Sequence, residues 1–188
     1  MFIQTEPTPN PLTLKFLPGR VVMDNGTIFF QNKNDTTASP LAKVLFDIEG
    51  VSGVFFGSDF ITITKEKDID WQVIKPIILG SIMDHYNSGK EILINDDQKI
   101  ENKEDKFAPK DKEIVKQIKE LLDTRVRPAV AMDGGDITFQ KYDDGIVYLY
   151  MQGACSGCPS STATLKMGIE NMLKHYIPEV SEVRPVDA

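Results

Sequence analysis

The sequence predicts an α+β protein: two small two-layer α/β domains joined by a charged linker. Three observations carry that expectation. From Asp96 to Lys106, eight of eleven residues are charged and only Ile100 is apolar, so this stretch cannot bury enough surface to offset its ordering entropy. Each flank mixes short runs suited to strands with longer runs of helical period. With the linker at 96–110, the flanks 1–95 and 111–188 are each long enough to fold alone.

In the first flank, Leu12 to Leu17 alternates like a strand and Pro18-Gly19 ends it. Val21 to Met23 and Thr27 to Phe30 flank Asp24-Asn25-Gly26, where Asn-Gly favours a type I′ hairpin turn. Ser39-Pro40 supplies an N-cap and a first-turn proline for a helix through Leu41, Val44, Leu45 and Ile48, stopped by Gly50. Val51 to Phe56 and Phe60 to Thr64 predict a strand pair across Gly57-Ser58-Asp59. Asp70 opens a helix carrying Ile74, Ile77, Ile78, Ile82 and Met83, with a late start or a kink expected at Pro76. Glu91 to Ile94 would close the sheet. Phe29, Phe30, Phe55, Phe56 and Phe60 fall on strands and are expected in the core; neighbouring exposed ones would mark a docking patch. This flank holds no cysteine and no Gly-rich phosphate loop, which suits a docking or structural module.

In the second flank, Asp111 is positioned to cap a helix with Ile114, Val115, Ile118, Leu121 and Leu122 on one face, limited by Pro128. Asp133-Gly134-Gly135-Asp136 reads as a turn rather than a metal site. Ile137 to Tyr142 and Ile146 to Met151 then form a hairpin at Asp143-Asp144-Gly145. After Gly153-Ala154-Cys155-Ser156-Gly157-Cys158-Pro159, a helix carries Leu165, Ile169, Met172, Leu173 and Tyr176 and ends at Pro178. Val180, Val183 and Val186 predict a last short strand.

The formal charge is −7, divided into −3, −1 and −3 over residues 1–95, 96–110 and 111–188. Neither flank has the clustered cations that hold a nucleic-acid backbone. No run approaches the ~18 apolar residues of a membrane span. The opening MFIQTEPTPNPL carries Glu6 and three prolines without a basic or apolar run, so neither a secretory signal nor an Arg-rich transit peptide is expected there.

Cysteine is the informative residue: two are present, Cys155 and Cys158, in CSGC. Two are too few for a disulfide framework, and a reducing compartment is expected. Pro159 suits a first helical position, so Cys158 falls at or beside the N-cap, where unpaired N–H groups and the helix dipole favour thiolate. Gly153 and Gly157 remove side chains on both sides and would let backbone N–H groups approach the sulfurs. Three chemistries use such a pair. Thiol–disulfide exchange on a thioredoxin-like fold would need more sheet downstream than the 30 residues after Cys158 provide. Structural zinc wants four ligands, and Cys155, Cys158 and His175 leave one chain short, so two chains would have to share the ion. His175 and His85 are otherwise read as packing or surface residues. A [4Fe–4S] cluster also takes four thiolates, which asks for a homodimer with one cluster on its two-fold axis.

Beyond the pair itself, GACSGCPSSTATLK, preceded by IKELLDTRVRPAVAMDGGDI and followed by GIENMLKHYIPEV, resembles the C-terminal domain of NifU-type proteins. MFIQTEPTPNPLTLKFLPG, SPLAKVLFDIEGV, VFFGSDFITITK and the W-x-x-IKP of Trp71 to Pro76 resemble the N-terminal domain of Nfu proteins. The resemblance implies a non-enzymatic iron–sulfur scaffold or carrier. It would hold a [4Fe–4S] cluster between two chains and pass it to recipient apo-proteins, dimeric when loaded and monomeric when empty, with upstream cluster-assembly proteins as further partners. The implied ligands are Cys155 and Cys158, with Gly153, Gly157 and Pro159 shaping the loop. A start directly at the N-terminal domain suits a bacterial cytoplasmic protein, with a mature mitochondrial form as the alternative.

Overall fold

The computed structural model describes residues 2–94, 111–157 and 159–186, with the side chains of 159–162 outside that description. The chain forms two compact units, Met1–Glu101 and Asn102–Ala188. The linker expected at 96–110 lies outside the described residues.

The first unit is a five-stranded antiparallel sheet in the order β1-β2-β5-β4-β3, formed by β1 (Gln4–Pro7), β2 (Thr13–Leu17), β3 (Ile28–Phe30), β4 (Val51–Phe56) and β5 (Ile61–Lys65). Helices α1 (Pro40–Phe46) and α2 (Trp71–Ser88) cover one face. Leu41, Leu45, Ile74, Ile78 and Ile82 from the helices meet Phe16, Val54, Phe56, Ile61 and Ile63 from the strands. The alternation of β4 sends Phe55 to the opposite face. There it packs with Phe29 and Phe60 at ring-centroid distances of 6.2 and 5.9 Å, and the Lys15 ammonium lies 4.7 Å from the Phe60 centroid. Phe30, Phe55, Phe56 and Phe60 are buried and Phe29 partly so, as the core expectation required.

α1 starts as its sequence predicts, with the Ser39 hydroxyl accepting from Ala42 N–H at 3.1 Å. α2 begins at once behind its Asp70 cap and runs through Pro76 without the late start expected there. The hairpin expected at Asn25-Gly26 does not form. Val22 and Met23 are buried, and both N–H groups donate to Ser58 O on the β4–β5 turn, so residues 21–23 leave the sheet and β3 pairs with β4 instead. Burial outweighs the local turn preference. Glu91 to Ile94 likewise makes no strand; it is tied down by Ile94 N–H to Ala38 O and by the Ser39 hydroxyl to Ile92 O. β1, inside the proline-rich opening, was not anticipated.

The second unit is a three-stranded sheet, β6 (Gly135–Asp143), β7 (Ile146–Gly153) and β8 (Glu182–Val186), with helices on one face. β8 is the expected last strand and lies parallel to β7, reached through α5 (Pro159–Tyr176). Asp144 and Gly145, both left-handed at φ 45° and 84°, join β6 to β7 as a type I′ turn requires. Pro128 does not end the preceding helix, contrary to expectation. α3 (Lys112–Leu121) passes into a π-helical turn, Leu122–Val126, and continues as α4 (Arg127–Met132). Proline lacks an N–H and its ring clashes with the carbonyl four residues back; the wider π turn accommodates both. Asp111 occupies the N-cap position of α3 but makes no capping bond.

Candidate functional site

The expected thiol loop sits where β7 ends and α5 begins. It opens and closes on left-handed glycines, Gly153 at φ 60° and Gly157 at φ 67°, which only glycine adopts without strain. Between them, successive N–H groups fold the chain into a tight turn: Ala154 donates to Gly134 O at 3.1 Å, Cys155 to Gln152 O at 3.3 Å and Ser156 to Gly153 O at 3.1 Å. Cys155 is 5% exposed and belongs to the apolar core of this unit. Cys158 lies outside the described residues.

The floor beneath Cys155 is the Gly134-Gly135 segment. A Cβ at Gly135 would stand 2.6 Å from Cys155 Sγ, 2.8 Å from Gln152 O and 3.0 Å from Cys155 N. Two of those are backbone atoms that cannot swing aside, so residue 135 must be glycine for the loop to close down. Gly134 is left-handed at φ 83°, and Gly135 pairs with Gly153 as the first rung of the β6–β7 ladder. The turn expected over Asp133 to Asp136 is thus confined to Asp133 and Gly134, while Gly135 and Asp136 already belong to β6 and Gly135 is the surface on which the cysteine rests.

Asp136, next in the chain, is 3% exposed and charged. Arg127 meets it with two parallel bonds, Nε to Oδ1 at 2.9 Å and Nη2 to Oδ2 at 2.8 Å, while Ile137 N–H donates to Oδ1 at 2.8 Å. Arg127 also holds Asp123 through Nη1 at 2.9 Å. These bonds raise the guanidinium pKa further above its already high value, chiefly through Asp136. A buried carboxylate is tolerated only when its lone pairs are filled in this way. Arg127 heads α4 directly after the π turn, so the helix irregularity and the fork that braces the glycine floor are neighbours in the chain. Sequence reasoning missed both Arg127 and the floor. The available signal was an aspartate between a glycine pair and an apolar strand, a charge bound for burial and hence in need of a cation.

The histidines are not part of this site. His85 is buried at the end of α2 in the other unit, and its Nε2 has no hydrogen-bond partner among the described residues. His175 is exposed on the last turn of α5, edge-on to Tyr176. Among the described residues no three His, Cys, Asp or Glu side chains converge as metal ligands.

Comparison with known proteins identifies the family. Residues 3–89 match the family described as scaffold protein Nfu/NifU N terminal, and residues 118–184 match the NifU-like domain. Over 185 residues the chain is 53% identical to NifU-like protein 4, mitochondrial, of Arabidopsis thaliana, covering 97% of this chain and 65% of that protein. Over 187 residues it is 54% identical to the NFU1 iron-sulfur cluster scaffold homolog, mitochondrial, of Drosophila sechellia, covering 99% and 65%. The chain thus spans just under two thirds of the length of these relatives. A solution structure of a NifU-like protein from Saccharomyces cerevisiae is similar at TM-score 0.46 and 29% identity, covering 50% of this chain and 86% of that one. Both curated relatives are mitochondrial by name, and a bacterial cytoplasmic location finds no support in them.

Proposed function

The chain belongs to the Nfu/NifU scaffold family, and from that premise we propose that it is a non-enzymatic carrier of iron–sulfur clusters, with Cys155 and Cys158 as its ligands. The observation that carries the reading is the loop itself: Cys155 on a glycine floor that a braced Arg127–Asp136 fork supports. These are the chain's two cysteines, so a [4Fe–4S] cargo with one thiolate per iron is shared by two chains. The only compartment condition this imposes is a reducing one, which the mitochondrion of its relatives meets.

The protein's part in the exchange follows from the loop. Cys155 packs inward, so loading requires its Sγ to turn out from the floor. Each thiol loses its proton to solvent as it takes iron. A recipient's thiols, giving up their protons, then displace the carrier's thiolates one at a time, and Cys155 Sγ takes up a proton as it settles back on Gly135. Return of the thiol to a buried seat favours release. No acid–base pair takes part.

The test is anaerobic reconstitution of the chain with iron and sulfide, followed by visible absorption, iron content and solution mass. About two irons per chain, broad thiolate-to-iron absorption and a dimer are expected, and Cys155→Ser should abolish all three. A colourless, zinc-linked dimer or a monomer with disulfide-reducing activity would overturn the proposal.

A further inference from the structure

The first unit carries an apolar groove that none of its own described residues fills. Between α1 and α2 a trough of about 690 Å³ is lined by Val44, Ile48, Val73 and Ile77, with Asp47 and Glu49 as its charged residues. Val44 is 43% exposed, Val73 65% and Ile77 51%. Single exposed apolar side chains need no explanation, but three around one groove form the kind of patch that marks an interaction site.

The pattern of α2 shows how the patch arises. Ile74, Ile78 and Ile82 form the stripe that faces the core. Val73 and Ile77, one turn apart and continued by Ser81, form a second stripe that the unit leaves in water. Gly80 adjoins it, and a Cβ there would meet nothing within 4 Å. Glycine weakens a helix interior relative to alanine, and no contact inside the unit calls for one here. The position suits close approach by a chain from outside.

The charge of the groove specifies what approaches. Asp47 and Glu49 lie at and just past the C-terminal end of α1. Lys33 neutralises Asp47 at 2.5 Å, whereas Glu49 is exposed and has no ion-pair partner among the described residues. We propose that this groove docks an amphipathic helical segment of a partner protein, apolar along one face and carrying Lys or Arg at the end that meets Glu49. Two helices framing an apolar trough match the helix-in-groove mode of recognition, with anchors one turn apart on the incoming helix. The proposal is independent of the cysteines, so docking operates with or without cargo.

The test uses the full chain with both cysteines changed to serine, which separates it from the cluster reading. It is titrated with a labelled helical peptide of about 15 residues, with leucines at i, i+3, i+4 and i+7 and two lysines at one end. A second peptide carries glutamates in place of the lysines. Fluorescence anisotropy gives affinity, and methyl NMR of Val44, Val73 and Ile77 gives location. The lysine peptide should bind and shift those methyls, and Ile77→Asn, at an exposed position, should weaken it about tenfold while leaving the fold intact. Glu49→Gln should weaken the lysine peptide alone. Equal affinity for both peptides, shifts elsewhere, or indifference to Ile77→Asn would overturn the proposal. So would concentration-dependent self-association that Ile77→Asn abolishes, because the groove would then take a second copy of this chain.

Discussion

The two units bury polar groups to different ends. In the first, the buried Ser39 caps α1 and pins the Ile92 carbonyl, so its hydroxyl stitches distant pieces of main chain together. In the second, a buried carboxylate is gripped by Arg127 immediately beside the glycines under Cys155. The first unit's buried polar contacts close a fold, whereas the second's fix a loop. The first unit also buries Lys15 and Lys65, in a stretch of chain without cysteine, whereas Asp136 in the second is next in the chain to the glycine under Cys155.

That contrast can be broken most strongly at Arg127. Arg127→Met takes the paired guanidinium away from the buried Asp136, and should cost about 3 kcal/mol in the second unit. Hydrogen exchange at the β6 and β7 amides should report the loss while β4 and β5 stay protected. Arg127→Lys should recover only part of it, since an ammonium cannot make the parallel pair of bonds. Next is Gly135→Ala, whose methyl meets Cys155 Sγ and the Gln152 carbonyl; about 2 kcal/mol of overpacking is expected. It should also accelerate alkylation of Cys155, measured by mass spectrometry in a Cys158→Ser background, as the thiol is pushed from its seat. On the other side of the comparison, Ser39→Ala removes a cap and a donor together and should cost about 1–2 kcal/mol, confined to the first unit.

These positions also mark how far sequence reasoning reached. The β4–β5 and β6–β7 hairpins and helices α1, α2 and α5 are legible because each joins a clear period to its own turn or cap residues. The parallel strand β8 was visible from three valines. What failed was decided at a distance. Val22 and Met23 abandon a favourable Asn-Gly turn because Ser58, over thirty residues away, accepts both N–H groups. Pro128 reads as a helix stop by local rules, yet the π turn before it carries the helix on. At the candidate site the cysteine pair stood out by composition, but its support did not. Glycines read as turn residues give no sign that one of them lies under a sulfur atom, and Arg127 and Asp136 are nine residues apart with no periodic relation.

The smallest expected effect uses pH to separate the units. His85 is buried in the first, and burial, aided by the nearby charge of Lys90, lowers its pKa below 6.5 despite hydrogen bonds to the main chain at Lys90 and Glu91. The unfolded chain then binds a proton that the folded unit refuses, so stability falls as the pH drops below 6.5 until the folded-state pKa is passed. In the second unit the group to watch is Glu170. Its pKa is lowered from 4.5 by Lys174 and by the N–H of Val183 on β8. Its contribution is complete above that value and is lost only as the pH falls through the lowered one. Acidification from pH 7 should therefore loosen α2 and the segment 90–94 first, and the α5–β8 contact later. Amide exchange followed across both units should show the two steps in that order. His85→Leu should flatten the first alone and Glu170→Gln the second alone. A single transition common to both units would mean that their stabilities are coupled, and the contrast drawn from their buried groups would fail.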